Sequence, residues 1–247
     1  MAGPRGVLLA RSRSARYACP SPRLKATHLE PIGSSSIVRN AVRTIDASAR
    51  KCRVAGKKQF DMDTALDAAM IQFWRDGYAD TSLDDLSRAT GLNRSSIYSS
   101  LGDKDTLFLR CLDLYAARYG EQYDAALSCA ASEPVAALRA FFDVTLGRIA
   151  DPEVPDGCLI AQSAMTIPVL SPSVAAHAKR MLGLQRLRLR TALKAGRLTD
   201  QDAEAFAVHV AAVNQSLAIM SRAGASPAQL LAIVGVTVDA LSNALRA

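Results

Sequence analysis

The sequence predicts an all-α protein, with an N-terminal three-helix head of the helix-turn-helix type joined by a fourth helix to a C-terminal helical body. Three observations predict this class. Apolar residues recur every three or four positions from Ala65 onward, which is the period of an amphipathic helix. Aromatic residues make up only 5% of the chain, while alanine and leucine are abundant, and this composition favours helix packing over a large sheet. Finally, Gly91 leaves only Leu92 and Asn93 between two short helical segments.

The length of 247 residues suits one or two domains. We divide the chain into a basic N-terminal extension at 1–55, a helix-turn-helix domain at 56–103 and a helical body at 104–247. Residues 1–58 hold 13 of the 30 Lys and Arg residues and two of the 23 acidic residues. This extension has few large apolar residues and no sustained period, so we expect it to be disordered.

The first two helices of the head are predicted from local signals. The first helix ends at Gly77, and a capping box of Ser82 and Asp85 starts the second helix, which Gly91 ends. Leu83, Leu86 and Ala89 give that second helix its apolar face. The apolar stripe of the first helix consists of Ala65, Leu66, Ala69, Met70, Phe73 and Trp74.

The third helix, at 94–101, has the composition of a segment that enters a DNA groove. Ile97 and Leu101 are its two core anchors, and the other side chains are hydroxyls and one guanidinium. Eight residues at about 1.5 Å per residue span roughly 12 Å, about the width of the major groove of B-DNA. Arg94 can bind guanine with two hydrogen bonds, and Tyr98 can donate to a phosphate.

The run GLNRSSIYSSLGDKDTLF at 91–108 resembles the helix-turn-helix of the TetR (tetracycline-repressor-like) regulators, and the preceding run ALDAAMIQFWRDGYADTSLDDLSRATG follows the same family pattern. The resemblance implies base contacts from Arg94, Ser95, Ser96 and Ser99. It implies phosphate contacts from Thr81, Ser82, Tyr98 and Lys104. The sequence departs from the family where Ser95 replaces a frequent glycine, Ser100 a frequent aromatic residue and Leu101 a phenylalanine, so the bases that are read stay open.

Three interpretations of the basic extension stay open. Its last ten residues, including Lys57 and Lys58, are suited to an arm that pairs with phosphates or enters the minor groove beside the first helix. The extension is also rich in Arg and Ser and poor in acidic residues, which is typical of an organellar transit peptide. The third interpretation is that much of 1–50 is an over-extended start without function.

The body contains four further helical segments before its last two helices. They run from Lys104 to about Tyr123, from Ser132 past Leu146, from Gly157 to Pro168 and from Ser171 to about Ala195. We expect an effector pocket among them, although each candidate could equally be core or surface. Cys158 could be a redox or electrophile sensor, because a thiol at a helix N-terminus has a lowered pKa, or a small packing residue. The candidate lining residues are Phe141, Phe142, Cys158, Leu159, Gln162, Met165 and His177.

The last two helices, at about 200–222 and 227–245, carry apolar side chains on more than one face. Such helices must be covered on two sides, and two of them from each chain would form a four-helix interface across a two-fold axis. The alternative is a large monomeric core. A dimer would place two recognition helices roughly 34 Å apart, as a palindrome requires. The predicted interface residues are Phe206, Val210, Val213, Leu217, Leu230, Val234, Val238 and Leu241.

The sequence shows no motif typical of a metalloprotein, an enzyme or a membrane protein. The five cysteines and three histidines have no metal-ligand spacing, no catalytic motif is found, and no uninterrupted apolar run approaches the roughly 18 residues of a membrane span. We therefore expect no cofactor, no metal and a cytoplasmic location. The sequence predicts a ligand-responsive, homodimeric DNA-binding regulator, most simply a repressor that leaves a palindromic operator. Two alternatives stay open: a helical-bundle carrier or enzyme with a vestigial DNA-binding head, and a non-specific DNA-coating protein that uses the basic extension.

Overall fold

The computed structural model describes the backbone of residues 45–196 and 198–246, and the side chains of these ranges from residue 62 onward. This part of the chain is helical and contains no strand, as the sequence predicted. A short 3-10 helix, Ile167–Val169, lies between the sixth and seventh α-helices. The α-helices are α1 (Ile45–Asp80), α2 (Leu83–Thr90), α3 (Arg94–Leu101), α4 (Lys104–Leu127), α5 (Pro134–Ile149), α6 (Leu159–Met165), α7 (Pro172–Lys194), α8 (Asp200–Arg222) and α9 (Pro227–Ala244).

The predicted signals at the ends of α1 and α2 are confirmed. Gly77 has φ 85° and ψ 170°, which breaks the helical conformation of α1, and this region of φ favours glycine. The Ser82 side chain accepts a hydrogen bond from the Asp85 amide, while the Asp85 carboxylate accepts one from the Ser82 amide. Gly91 adopts the left-handed conformation at the end of α2. These local contacts fix the short turn that precedes α3.

The first helix begins earlier than the sequence boundary at residue 56. Its backbone is helical from Ile45, in a stretch rich in Ala, Lys and Arg, which are strong helix formers. Such a stretch extends a helix that is already held by the packed residues after it, because propagation costs less than nucleation. The expected disorder of 1–55 otherwise falls on residues 1–44, which lie outside the described residues. The side chains of Lys57 and Lys58 lie outside them as well.

A continuous hydrophobic core runs from the head into the body, and α4 belongs to both. In the head, the fully buried Phe73 of α1 packs edge-on against Phe108 of α4, with ring centroids 4.8 Å apart. Further along α4, Trp74 of α1 packs edge-on against Tyr115 at 5.0 Å and Tyr119 at 6.1 Å. One packed core therefore joins the head to the body through α4.

The structure corrects the predicted dimer surface on α8 and α9. Six of the eight predicted interface side chains are buried inside the protomer, while Phe206 and Val213 are partly buried. This apolar face packs inside the protomer. The spacing of apolar residues along a helix could not show whether a face packs within the protomer or against a second copy of the chain. The six buried residues are Val210, Leu217, Leu230, Val234, Val238 and Leu241.

A second apolar face of α8 and α9 is exposed. Val208 and Ile219 of α8 are 46% and 48% exposed, and Leu231 and Val236 of α9 are 57% and 74% exposed. Both helices are long and apolar enough to cross a membrane by length and composition alone. In the structure, each of them buries one face in the protomer core and presents this other face outward.

Candidate nucleic-acid interface and ligand cavity

The recognition helix α3 is held by its two predicted anchors. Ile97 and Leu101 are buried, and the N-cap residue Asn93 accepts hydrogen bonds from the Ser96 amide and the Ser95 hydroxyl, both at 2.8 Å. This arrangement presents the opposite face of α3 outward. Ser96 is half-buried, and the exposed side chains are Arg94, Ser95, Tyr98, Ser99 and Ser100.

The turn after α3 is tightly packed. Gly102 has φ 90°, and a Cβ atom added there would lie 2.8 Å from the Thr106 side chain. The Gly102 amide donates to the Ile97 carbonyl at 3.1 Å, and the Asp103 side chain accepts from the Thr106 amide at 2.8 Å. These contacts fix the N-terminal end of α4 directly after α3.

Arg94 forms an ion pair with Asp84 of α2. Its Nε donates to Oδ1 at 2.9 Å and its Nη2 to Oδ2 at 2.6 Å. The two side chains are 62% and 55% exposed, and an exposed pair contributes only about 0–1 kcal/mol. For Arg94 to contact a DNA base, its guanidinium must therefore give up the weak ion pair with the Asp84 carboxylate.

Of the four predicted phosphate ligands, Ser82 lies at the start of α2, Lys104 at the start of α4 and Tyr98 within α3, whereas the fourth prediction is corrected. Tyr98 is 52% exposed, and Ser82 is exposed although its hydroxyl takes part in the capping box. The Lys104 ammonium lies 4.4 Å from the ring centroid of Tyr78. The Thr81 side chain, in contrast, is fully buried and donates to the Gly77 carbonyl at 2.6 Å. Because its hydroxyl is buried and bonded to the Gly77 carbonyl, Thr81 serves the bend in α1 rather than a phosphate.

The body contains a cavity of about 60 Å³ between α4, α6, α7 and α8. Its lining is mostly apolar. The polar side chains belong to α4, α7 and α8 and to Cys158, the residue that precedes α6. Of the seven predicted pocket residues, Cys158 lines this cavity. The other polar or aromatic residues around it include Tyr115, Tyr119, Tyr123, Gln185, Arg188, Asn214 and Gln215.

The remaining predicted pocket residues lie elsewhere. Phe141, Phe142 and Leu159 are buried core residues, and Phe141 packs against Tyr123 at a centroid distance of 4.7 Å. They were chosen for their apolar character, which core and pocket share, so the prediction is corrected for these three.

Gln162 and Met165 line a separate open groove of about 240 Å³ between α6 and α8. His177 belongs to a surface network, in which its Nε2 lies 2.7 Å from the Asp113 carboxylate and its Nδ1 lies 2.7 Å from Arg180. These polar partners hold the imidazole away from the cavity. Among the described residues, no group of three or more His, Cys, Asp or Glu side chains could hold a metal ion.

The residues that sequence reasoning missed are three tyrosines of α4. Tyr115, Tyr119 and Tyr123 are spaced by four residues and so share one face of the helix. The Tyr123 hydroxyl lies 2.8 Å from that of Thr145, which in turn donates to Asn214. A repeated hydroxyl-bearing aromatic residue on an otherwise apolar face was the signal that could have revealed the cavity.

Two buried polar groups beside the cavity stand out. The Tyr115 hydroxyl faces the Cys158 thiol but has no hydrogen-bond partner of standard geometry among the described residues, and burial raises the pKa of Tyr115 well above its ordinary value. Arg148 of α5 is buried, donates to the Gly157 carbonyl and lies over the rings of Trp74 and Tyr119 at 5.8 Å and 5.5 Å. Within the described part of the chain, no carboxylate forms an ion pair with it.

Comparison with known proteins supports the interpretation of both regions. The family model of bacterial regulatory proteins of the tetR family matches residues 65–111, and that of the tetracyclin repressor-like C-terminal domain matches residues 134–234. The HTH-type transcriptional repressor ComR of Escherichia coli (strain K12) is 31% identical over 186 residues, which cover 73% of this chain and 89% of ComR.

Solved structures give the same result. A cysteine-substituted variant of the TetR family regulator CifR, in complex with 26-bp double-strand operator DNA, matches with a TM-score of 0.67 and 27% identity over 72% of this chain and 95% of that chain. A TetR family regulator from Agrobacterium tumefaciens matches with a TM-score of 0.65 and 26% identity over 73% of this chain and 97% of that chain. The chain therefore belongs to the TetR family of bacterial regulatory proteins.

Proposed function

We propose that this protein is a homodimeric transcriptional repressor that binds a palindromic operator through α3 and leaves it when a small molecule occupies the cavity of the body. The observation that carries the proposal is the exposed polar face of α3, a helix held at its back by Ile97 and Leu101. A repressor relative and an operator-bound structural neighbour support it.

The proposed contacts divide into two groups. Arg94, Ser95, Ser96 and Ser99 face the bases, and small hydroxyl side chains let the helix backbone approach the floor of the groove. Tyr98, Ser82 and Lys104 contact phosphates at the groove edges. Lys57 and Lys58 add a sequence-independent electrostatic contribution if they form the proposed arm.

We propose that a second copy of the chain covers the exposed apolar face of α8 and α9. Val208, Ile219, Leu231 and Val236 lie on this face, and apolar surface of this kind on two adjacent helices is typical of an interface. A two-fold axis brings the same surface of both copies together. The resulting dimer would present two α3 helices to successive turns of one DNA duplex.

Release follows from linkage between the two sites. If the cavity ligand binds more tightly to the conformation with the lower operator affinity, it weakens operator binding by the same coupling free energy that the operator imposes on the ligand. The contacts of Tyr115 and Tyr119 with Trp74 offer a direct route from the cavity to α1. The proposal includes no catalytic turnover and a cytoplasmic location, where the operator is accessible.

A binding assay separates this proposal from non-specific DNA coating. Fluorescence anisotropy compares an operator fragment with scrambled DNA for the full chain, for Arg94→Ala and Tyr98→Ala, and for a protein that lacks residues 1–44. We expect the two substitutions to abolish the preference for the operator and the deletion to retain it. The proposal would be contradicted if both substituted proteins still preferred the operator over scrambled DNA while the protein that lacks residues 1–44 did not.

A further inference from the structure

The cavity between α4, α6, α7 and α8 is suited to a small, mainly apolar ligand. A water molecule needs roughly 10–15 Å³ of such space, so a cavity of about 60 Å³ accommodates a molecule of a few heavy atoms. Apart from Arg188, which pairs with Asp124, the lining is uncharged and mostly apolar, which favours an uncharged ligand. The polar side chains that face it then decide which chemistry the ligand carries.

The thiol of Cys158 is accessible from two sides. Cys158 is half-buried, and it lines both the cavity and the open groove between α6 and α8. Cys111 offers a contrast within the same molecule, because it is fully buried, its thiol contacts the Leu66 carbonyl, and burial raises its pKa above the ordinary range. A ligand in the groove or the cavity therefore reaches Cys158 and not Cys111.

The Tyr115 hydroxyl points to a ligand with a hydrogen-bond acceptor. It lines the cavity, faces the Cys158 thiol and has no hydrogen-bond partner of standard geometry in the described part of the chain. A buried hydroxyl without a well-formed hydrogen bond destabilises the protein. Because this phenol stays protonated, a carbonyl oxygen placed beside the thiol would satisfy it as an acceptor.

Arg148 gives the site a positive electrostatic environment. Its guanidinium donates to the carbonyl of Gly157, the residue that precedes Cys158, and it lies close enough to Tyr115 and Cys158 to interact with both electrostatically. A buried cation without a carboxylate partner favours negative charge nearby. It would stabilise charge that develops on sulfur or on a ligand oxygen during a reaction.

We propose, on the basis of the repressor function proposed above, that the effector is a small α,β-unsaturated carbonyl compound that alkylates Cys158. The thiol gives up its proton, and the sulfur forms a bond to the β-carbon as the carbon–carbon π bond breaks. The electron pair moves to the carbonyl oxygen, which accepts a hydrogen bond from Tyr115. A proton then returns to the α-carbon, so a thioether forms without any oxidant or reductant.

The adduct would act on the head through the tyrosines. A group attached to Cys158 fills the cavity and displaces Tyr115 and Tyr119, which pack edge-on against Trp74 of α1. Since packed cores respond to added volume by shifting, α1 changes position together with α2, which packs on α1 and contacts α3. Operator affinity falls as a result.

The test uses methyl vinyl ketone as the probe and butan-2-one, its saturated analogue, as the control that cannot alkylate. Intact mass and peptide mapping give the rate at each cysteine, and anisotropy gives operator affinity for the full chain, Cys158→Ser and Tyr115→Phe. Thermal unfolding confirms that both variants fold.

We expect methyl vinyl ketone to modify Cys158 before Cys129 and to weaken operator binding at least tenfold, while butan-2-one has no such effect. Cys158→Ser should bind the operator normally and ignore the probe, and Tyr115→Phe should slow the reaction at Cys158 about tenfold, since that hydrogen bond stabilises the charged oxygen. Modification of Cys129 before Cys158, or an adduct on Cys158 that leaves operator affinity unchanged, would overturn the inference. Failure of the unmodified protein to bind an operator would instead contradict the proposed function.

Discussion

The guanidinium of Arg222 donates from Nη1 to the main-chain carbonyl oxygen of Trp74 at 3.2 Å. Its Nη2 donates to the carbonyl of Arg75 at 2.9 Å, and Nη1 also donates to Oε1 of Gln162 at 2.9 Å. Trp74 and Arg75 precede the break at Gly77. One side chain of α8 thus joins the segment of α1 before the break to α6.

Replacing Arg222 by methionine keeps much of the side chain's length but removes these hydrogen bonds. We expect the free energy of unfolding to fall by about 1–2 kcal/mol, because hydrogen bonds from a charged donor to main-chain carbonyls are lost. Urea unfolding measures the change. Arg139→Met is the matched control, since Arg139 is exposed on α5. Equal stability of the two variants would show that the Arg222 contacts do not support the joint.

Removing the Asp84 partner of Arg94 should strengthen operator binding, whereas removing Arg94 itself should weaken it. Asp84→Asn removes the carboxylate that competes with DNA for the guanidinium, so we expect operator affinity to rise by up to about fivefold, as an exposed pair contributes about 0–1 kcal/mol. Asp124→Asn removes the same charge from the body, where Asp124 pairs with Arg188. A loss of affinity in Asp84→Asn would mean that Asp84 positions Arg94 instead of competing for it.

Introducing a negative charge on the exposed apolar face of α9 tests the proposed dimer interface. Leu231→Asp and Val236→Asp each place a carboxylate on the exposed apolar face of α9, and we expect both variants to sediment as monomers and to lose operator affinity, because a buried unpaired charge is costly. Val169→Asp is the control, since Val169 is 67% exposed but lies in the 3-10 helix. Dimers that persist in both α9 variants would contradict the proposed interface.

Alkaline stability of the head depends on Tyr78. Burial, the hydrogen bond to Asp105 and the charges of Asp105 and Asp103 raise the pKa of Tyr78 from 10.0 to about 12. A pKa raised on folding contributes stability that is complete below pH 10 and is lost as pH rises through about 12. We expect Tyr78→Phe to flatten the fall in unfolding free energy across this interval, measured by urea unfolding at several pH values. An unchanged slope would show that another group controls it.

The head was predictable because its determinants are local. Ser82 and Asp85, Gly91 and the buried pair Ile97 and Leu101 act within one or two helical turns, so their spacing alone identifies the caps and the face that packs. The buried hydroxyl of Thr81 was not predictable in this way, because its role depends on the bend at Gly77.

The body was predicted as helices but not as a site. Val210 and Val208 are both apolar and two residues apart, yet the first is buried in the protomer and the second is 46% exposed. Likewise Phe141 fills the core, whereas Tyr115 borders the cavity. A cavity exists where several helices fail to fill space between them, and that property depends on long-range packing that one-dimensional spacing does not contain.

The most direct test of the account is selection of bound sequences from random DNA by the full chain. We predict that the selected DNA contains a palindrome with half-sites about 10 bp, one helical turn, apart, and that a protein with both Arg94→Ala and Tyr98→Ala enriches no sequence. Recovery of no common sequence by the full chain, or of the same palindrome by the double variant, would contradict the claim that α3 reads an operator.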